Sequence, residues 1–358
     1  MNNEFFNVPG ADDLEIAPVG GRKETTVRPN HQTIPDCTAG EKLDCSKDFL
    51  DLLSTHFLIC NDKIQGQGED CGIESYTCQA GILGVFDGCG GLGSKTCPDI
   101  SDKTEAYLAS RAVGAAVLKW FYSNAETGWQ WNADALKNLI CFNLDLCRKQ
   151  AGDESLKLRG SMIRPFPTTI AMIVLQIRKD QLLTRHIWAG DSRTYVLDRE
   201  GLAQISTDDI RGEDAMANLS RDGALTNLLS ADRNFALHST DFIPTQPCIL
   251  LSATDGCFSY VSSPMEFELM LLSTLIRSEN VVQWQQRLSE EISRCAGDDQ
   301  TLALASLGFE DFASLKNHYM DRCQTIQEIV DQFSAATEPE QQQLWQTYKP
   351  GYYRFAGK

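Results

Sequence analysis

Residues 82–91 read ILGVFDGCGG, a short apolar run that leads directly into an aspartate and a group of glycines. The run Ile82 to Phe86 is too short for a typical helix and is rich in aliphatic side chains, so it predicts a strand buried on both faces. The glycines that follow Asp87 allow the backbone to turn sharply and to expose its carbonyl groups. The stretch therefore predicts a carboxylate held rigidly at the end of a buried strand.

Short apolar runs of the same kind predict further strands at residues 57–60, 170–177, 187–189, 249–253 and 302–307. Apolar residues that recur every three or four positions predict helices at residues 103–124, 132–150, 264–276, 280–295 and 309–335. Strands and helices come in blocks rather than in strict βαβ alternation. This arrangement predicts a layered α+β fold, with two sheets in the middle and helices outside.

The same patterns divide the chain into three parts. Residues 1–45 lack apolar periodicity and contain several glycines and prolines, so we interpret them as an N-terminal arm. Residues 46–308 hold the predicted strands and form the predicted domain. Residues 309–358 are predicted to form a C-terminal helical extension whose apolar stripe packs on that domain.

Composition restricts the possible function classes. The formal net charge is −17 and no dense cluster of Lys and Arg offsets it, so nucleic acid is excluded as a partner. No apolar run reaches the roughly 18 residues of a membrane span, and no signal-peptide pattern opens the sequence. The thirteen cysteines include no CxxC pair, so we interpret them as reduced structural thiols of a cytoplasmic protein rather than as zinc ligands.

Carboxylates recur at the ends of the predicted strands. A single Asp-Gly pair predicts only a turn, but several strand ends can converge at one edge of a sheet. Carboxylate oxygens are the ligands that hard divalent cations prefer. The recurrence therefore favours a metal site, with Asp87, Asp255 and Asp298 as its best candidate ligands. The other acidic positions of this kind are Asp191 and the pair Glu69-Asp70.

In order and spacing, these motifs resemble those of the metal-dependent Ser/Thr protein phosphatase family (PPM, type 2C) over residues 55–308. The segment Phe86 to Gly91 resembles the family's FDGHGG motif. The other similarities are Gly190-Asp191-Ser192-Arg193 to GDSR, Ala253-Thr254-Asp255-Gly256 to ASDG, Asp298-Asp299-Gln300-Thr301 to DNxT, Glu69-Asp70 to the N-terminal acidic pair, and Pro167-Thr168-Thr169-Ile170-Ala171 to a strand start.

The resemblance implies a four-layer αββα sandwich of two mainly antiparallel sheets, with metals bound between loops at one end. It implies hydrolysis of phosphoserine and phosphothreonine in proteins, with two or three Mg²⁺ or Mn²⁺ ions. The natural partner would be a phosphorylated protein, such as the product of a Ser/Thr kinase. By motif match, Asp87 would bridge two metals, and the remaining ligands would be Glu69, Asp70, the Gly88 carbonyl, Asp191 near a third metal, Asp255 and Asp298.

Two positions depart from the family pattern. Cys89 stands where the family has a histidine thought to protonate the leaving alkoxide, and a thiol with a pKa of about 8.5 is poorly matched to that task. Gln65 stands where many members have a phosphate-binding arginine, and the nearby Lys63 lacks arginine's bidentate fork.

The departures leave three interpretations of the chain open. It is a slow or specialised phosphatase, a pseudophosphatase that acts as a phosphoprotein-binding or regulatory module, or a redox-regulated enzyme in which Cys89 is the sensor. A simpler alternative to the redox-sensor interpretation is that Cys89 only fills space between glycines.

Overall fold

The structure is a computed structural model. It describes residues 43–45, 48–98, 102–126, 128, 130–152, 164–211, 214–219, 223–295 and 297–355. Apart from residues 43–45, the predicted N-terminal arm lies outside the described residues. The domain boundaries predicted after residues 45 and 308 therefore stay predictions.

Two five-stranded antiparallel sheets form the centre of the structure. The strands are β1 (Leu53–Asn61), β2 (Cys71–Tyr76), β3 (Ala80–Phe86), β4 (Thr96–Cys97), β5 (Lys103–Thr104), β6 (Ile170–Arg178), β7 (Gln181–Ala189), β8 (Arg193–Asp198), β9 (Gly201–Gln204), β10 (His238–Phe242), β11 (Cys248–Ala253) and β12 (Gln300–Leu307). The first sheet has the order β1-β12-β11-β8-β9 and the second the order β10-β7-β6-β3-β2, while β4 and β5 form a separate small ladder.

Helices cover the outer face of each sheet. The helices are α1 (Phe49–Leu52), α2 (Glu105–Glu126), α3 (Ala133–Gln150), α4 (Ala215–Asn218), α5 (Pro264–Ile276), α6 (Val281–Cys295), α7 (Phe312–Ala335) and α8 (Glu338–Tyr352). The short helix α1 differs from the others, since Phe49 and Leu52 pack in the core between the two sheets. Helices α2 and α3 pack on the second sheet, and α5 to α8 pack on the first. The predicted four-layer αββα sandwich is thus confirmed. Within the described residues, no helix is both long and apolar enough to cross a membrane.

Strand β3 shows why the central strands are continuously apolar. Ile82 and Phe86 pack towards α2 and α3, whereas Leu83 and Val85 pack between the two sheets. Successive side chains of a strand point to opposite faces, so a strand covered on both sides needs an apolar residue at nearly every position. All six predicted strand runs lie within observed strands, and the five predicted helices match α2, α3, α5, α6 and α7.

The C-terminal helices α7 and α8 are joined to the sandwich by a buried polar cluster as well as by apolar contacts. Glu268 of α5 is fully buried and accepts two hydrogen bonds from Arg322 of α7, at 2.6 and 2.9 Å. The hydroxyl of Tyr348 on α8 donates to the same carboxylate at 2.5 Å. A buried carboxylate is tolerated only when it is paired in this way, so the cluster ties three helices together.

We expect Arg322→Met to lower the free energy of unfolding by about 3 kcal/mol, because the variant leaves the carboxylate of Glu268 buried without its cation. Urea denaturation measures the change. The matched control is Arg185→Met, which removes a similarly bidentate contact to Asp241 from a more exposed pair. The control should lose less than about 1 kcal/mol, and equal losses in the two variants would contradict the expectation.

Candidate metal centre

The antiparallel register brings the acidic motifs to one end of the sandwich. Ala253 pairs with both Arg193 and Leu302 in the first sheet. In the second sheet, Phe86 pairs with Cys71. The strand ends that carry the motifs therefore lie at the same end of each sheet. The residues placed there are Glu69, Asp70, Asp87, Asp191, Asp255, Asp298 and Asp299.

The backbone of Asp87 is fixed from both sides by the two threonines that precede β6. The Thr169 N–H donates to the Asp87 carbonyl at 2.8 Å, and the Asp87 N–H donates to Thr169 Oγ1 at 3.2 Å. The Thr168 hydroxyl donates to the same carbonyl at 2.7 Å. Thr169 Oγ1 also lies 2.7 Å from Ser192 Oγ, so three of the predicted motifs are connected through buried hydroxyl groups.

Thr254 connects Asp70 to the strand that follows Asp298. Its hydroxyl donates to Asp70 Oδ2 at 2.7 Å and accepts the N–H of Thr301 at 2.9 Å. The Thr254 N–H in turn donates to the Thr301 carbonyl at 2.9 Å. Because a hydrogen bond to the ionised form favours that form, this hydroxyl both aims the Asp70 carboxylate and supports its charge.

Asp299 organises the loop that carries Glu69. Its Oδ1 accepts the N–H of Lys63 and its Oδ2 accepts the N–H of Glu69, both at 2.7 Å. The Glu69 side chain accepts a hydrogen bond from the Thr104 hydroxyl, and its carbonyl accepts one from Arg111 at 2.9 Å. Asp299 is thus a supporting residue that the motif comparison did not single out.

Two glycines permit the close approach of these loops. A Cβ on Gly90 would overlap the carboxylate of Glu69, and a Cβ on Gly256 would overlap the carbonyl oxygen of Asp299. The predicted ligand Gly88 is buried and forms an isolated bridge with Thr168. The glycines of the FDGCGG and ATDG segments therefore leave the space that the acidic residues occupy.

The turn that carries Asp191 is held by two consecutive aspartates. The Gly190 N–H donates to Asp209 Oδ2 at 3.0 Å, and the Asp209 N–H donates back to the Gly190 carbonyl at 2.9 Å. Arg193 forms a buried ion pair with Asp208, with Nη2 and Oδ2 2.7 Å apart. Among the described residues, Asp191 Oδ1 is buried and has no hydrogen-bond partner, which marks it as an acceptor available to a cation or a water molecule.

The carboxylates at this end of the sandwich repel one another. Burial raises the pKa of Asp87 well above its usual range, and neighbouring carboxylates raise it further. Those neighbours are Asp70, Asp255, Asp191 and Asp298. Burial also raises the pKa of Asp70 and of Asp191, with a further rise from Asp255 in each case. Bound cations would stabilise the ionised form of these carboxylates.

The donor set fits a hard divalent cation in its chemistry. Carboxylates and a backbone carbonyl are ligands that Mg²⁺ and Mn²⁺ accept, with water completing the coordination. The lone pairs of Asp191 Oδ1 accept no hydrogen bond in the described residues, so this oxygen could serve as a ligand. Across the part of the chain that the structure describes, no group of three or more His, Cys, Asp or Glu side chains is arranged so that it could hold a metal ion. Asp298 is exposed, so its assignment as a ligand stays a prediction.

The two departures from the family pattern lie in different surroundings. The Cys89 N–H donates to the Pro167 carbonyl at 3.3 Å, and its Sγ lies 3.9 Å from the Asp87 carbonyl oxygen. Burial raises the pKa of Cys89 well above its usual range, and the carboxylates of Asp87 and Asp191 raise it further. Gln65 is exposed on the loop before Glu69. The described surroundings of Cys89 therefore favour a thiol over a thiolate.

We expect Gly256→Ala to lower the free energy of unfolding by about 2 kcal/mol, because its Cβ would overlap the Asp299 carbonyl and push the two loops apart. Gly91→Ala is the matched control, since nothing lies within 4 Å of the position of its Cβ. Thermal or urea denaturation of both variants measures the difference. The close packing of these loops would be disproved by a Gly256→Ala protein as stable as Gly91→Ala.

Comparison with known proteins bears on the fold. No protein-family model and no curated protein matches the sequence. The solved structure of the serine/threonine phosphatase Stp1 from Staphylococcus aureus matches with a TM-score of 0.50 and 15% identity, over 76% of this chain and 99% of that one. The PPM Ser-Thr phosphatase MsPP from Mycobacterium smegmatis matches with a TM-score of 0.49 and 12% identity, over 72% of this chain and 100% of that one. The Mycobacterium tuberculosis phosphatase PstP/Ppp matches with a TM-score of 0.47 and 18% identity, over 72% and 99%. The match to Stp1 shows that the chain shares the fold of that phosphatase, and its two antiparallel sheets flanked by helices are the PPM architecture that its motifs predict.

Proposed function

We propose that this protein hydrolyses phosphoserine and phosphothreonine in other proteins, in a metal-dependent reaction. The observation that carries the proposal is the gathering of Asp70, Asp87 and Asp191 at one end of a PPM-type sandwich, where burial and mutual repulsion raise their pKa values. Keeping such carboxylates close together is unfavourable unless cations compensate them. Raised pKa values in a cluster of this kind are typical of functional sites.

The proposed ligands of two or three Mg²⁺ or Mn²⁺ ions are Glu69, Asp70, Asp87, the Gly88 carbonyl, Asp191, Asp255 and Asp298. Ions of this kind polarise phosphoryl oxygens and make water more acidic. The other side chains of the site contribute by orienting the proposed metal ligands. The Thr168 hydroxyl fixes the backbone of Asp87, and the Thr254 hydroxyl fixes the carboxylate of Asp70. Misplacement of about 1 Å can lower a rate by about 100-fold.

Recognition of the substrate phosphate would differ from the family pattern. Gln65 has no charge, and Arg111 already donates to the carbonyls of Gly68 and Glu69. Lys63 and Lys103 are cations on or beside this loop, and Lys103 Nζ donates to the Gly66 carbonyl at 3.0 Å. A lysine supplies charge without the bidentate geometry of arginine, so the phosphate would be held with less directional contact.

A second candidate function is a pseudophosphatase that binds phosphoproteins without efficient turnover. The specific observation in its favour is Cys89, which stands where the family has its proton-donating histidine. A thiol is poorly matched to protonating a leaving alkoxide, a task for which the family uses an imidazole. Leaving groups that need protonation would be affected most.

The proposal predicts hydrolysis of p-nitrophenyl phosphate that requires Mn²⁺ or Mg²⁺ and stops with EDTA. Asp255→Asn should lower turnover by about 100-fold or more, since loss of an outer-shell partner alone commonly lowers metal affinity or activity by about 10- to 100-fold. Asp331→Asn, which changes an exposed carboxylate on α7, is the matched control and should keep full activity. A folded wild-type protein without turnover in any of these metals would favour the pseudophosphatase.

We expect Cys89→His to increase hydrolysis of a phosphothreonine peptide by about 100-fold and to change hydrolysis of p-nitrophenyl phosphate much less. An alkoxide leaving group needs a proton in the transition state, whereas nitrophenolate needs little help. Steady-state kinetics on both substrates measure the two ratios, with Cys89→Ser as the control that removes the thiol without adding an acid. Equal gains on the two substrates would refute the role assigned to position 89.

A further inference from the structure

Helix α8 packs on the outer face of the first sheet and contacts β8, the strand that follows Asp191. Tyr352, near the end of α8, is buried, and its ring centroid lies 6.3 Å from that of Tyr195 on β8. A residue of the C-terminal extension is therefore in contact with the strand that starts two residues after Asp191.

Tyr195 adjoins the guanidinium of Arg193, which connects two of the acidic motifs. Arg193 pairs with Asp208 through Nε and Nη2, and its Cζ lies 4.1 Å from the ring centroid of Phe258. Phe258 follows the turn at Asp255–Cys257, and its N–H donates to the Asp255 carbonyl at 3.0 Å. The Arg193 side chain is 4% exposed, so its position is fixed by these neighbours.

A second contact from α8 fixes Asp214. Asp214 Oδ2 accepts hydrogen bonds from Lys349 Nζ at 2.8 Å and from Trp345 Nε1 at 3.1 Å. The other oxygen of Asp214 caps α4, because it accepts the N–H groups of Met216 and Ala217 at 3.1 and 3.0 Å. One carboxylate thus joins α4 to α8.

The described residues 206–211 before this cap hold the turn that carries Asp191. Asp209 exchanges two hydrogen bonds with Gly190, and Asp208 binds Arg193 on the other side of Asp191. Arg193 connects this segment to Tyr195, whose ring contacts Tyr352 of α8. Asp214, the next described residue after Arg211, is bound by α8 directly.

We infer that α8 positions Asp191, with Tyr352, Lys349 and Trp345 acting on it through Arg193, Asp208 and Asp214. The C-terminal extension is then part of the framework of the site rather than an appendage on the far side of the sandwich. Only the assignment of Asp191 to a metal rests on the proposed function. The mechanical coupling between α8 and the Asp191 turn stands on the contacts alone.

Hydrogen–deuterium exchange of the metal-free full chain tests the coupling. Tyr352→Leu removes the ring contact with Tyr195. Asp214→Asn keeps an acceptor oxygen for the α4 cap while losing the ion pair with Lys349. We expect amides of residues 189–193 to exchange roughly 3- to 30-fold faster in both variants, the range expected of coupling through packed networks. Thr347→Ala, at an exposed position of α8 whose hydroxyl only donates to the Gln343 carbonyl, is the matched control and should match wild type.

A Mn²⁺ titration by calorimetry separates positioning from simple stabilisation. Positioning predicts affinity about 10-fold weaker in both variants than in Thr347→Ala, as for outer-shell partners of metal ligands. Unchanged exchange at residues 189–193 in both variants, with only a lower melting temperature, would overturn the inference.

The outcomes also distinguish the inference from the proposed function. A wild-type protein that binds Mn²⁺ but shows no turnover contradicts the proposed function. Exchange at residues 189–193 and Mn²⁺ affinity then still test the role of α8. A wild-type protein that binds no Mn²⁺ contradicts the metal assignment, and exchange at residues 189–193 then decides the coupling by itself.

Discussion

Repulsion between carboxylates at one end of the sandwich is the constraint on which the rest of the structure depends. Asp70, Asp87 and Asp191 carry raised pKa values because burial and their neighbours both disfavour the charge. The hydroxyl groups of Thr168 and Thr254 fix the segments that carry Asp87 and Asp70. Asp299 fixes the Glu69 loop through its hydrogen bonds, although its charge also raises the pKa of Asp70. The sandwich therefore supplies rigidity, and cations would supply the missing charge.

The sequence predicted the central layers because their residues obey a local rule. Strands β3, β6, β11 and β12 are apolar on both faces, and a run of this kind is visible without knowledge of its partners. Six observed strands had no counterpart among the predicted runs, namely β2, β4, β5, β8, β9 and β10. Edge strand β10, with Ser239 and Asp241 facing outward, is short and polar, so its conformation follows from pairing with β7 rather than from its own pattern.

The acidic positions were predicted from apolar runs that end at Asp87 and Asp255 and from the match of all of them to family motifs, and their roles as metal ligands stay predictions. The residues that hold these acidic positions in place were not predicted. The role of Asp299 in holding the Glu69 loop follows only from the structure, which brings its carboxylate to the N–H groups of Lys63 and Glu69, about 230 residues away in sequence. The signal that could have found it is the second aspartate of the Asp298-Asp299 pair. Likewise, no local pattern relates Asp214 to Lys349, since the fold alone makes them neighbours.

The pairing of β1 with β12 has a consequence for how the protein is made. Residues 53–61 find their partners at residues 300–307, so β1 leaves the ribosome long before the strand that it must join has been synthesised. Until then, β1 lacks the one strand that it pairs with in the first sheet, and its exposed hydrogen-bonding edges make it prone to association with other chains. Such distant pairing also slows folding, because a long loop must close before the contact is gained. Chains cut short before residue 300 would therefore be targets for chaperones and proteases, even though they contain most of the acidic motifs.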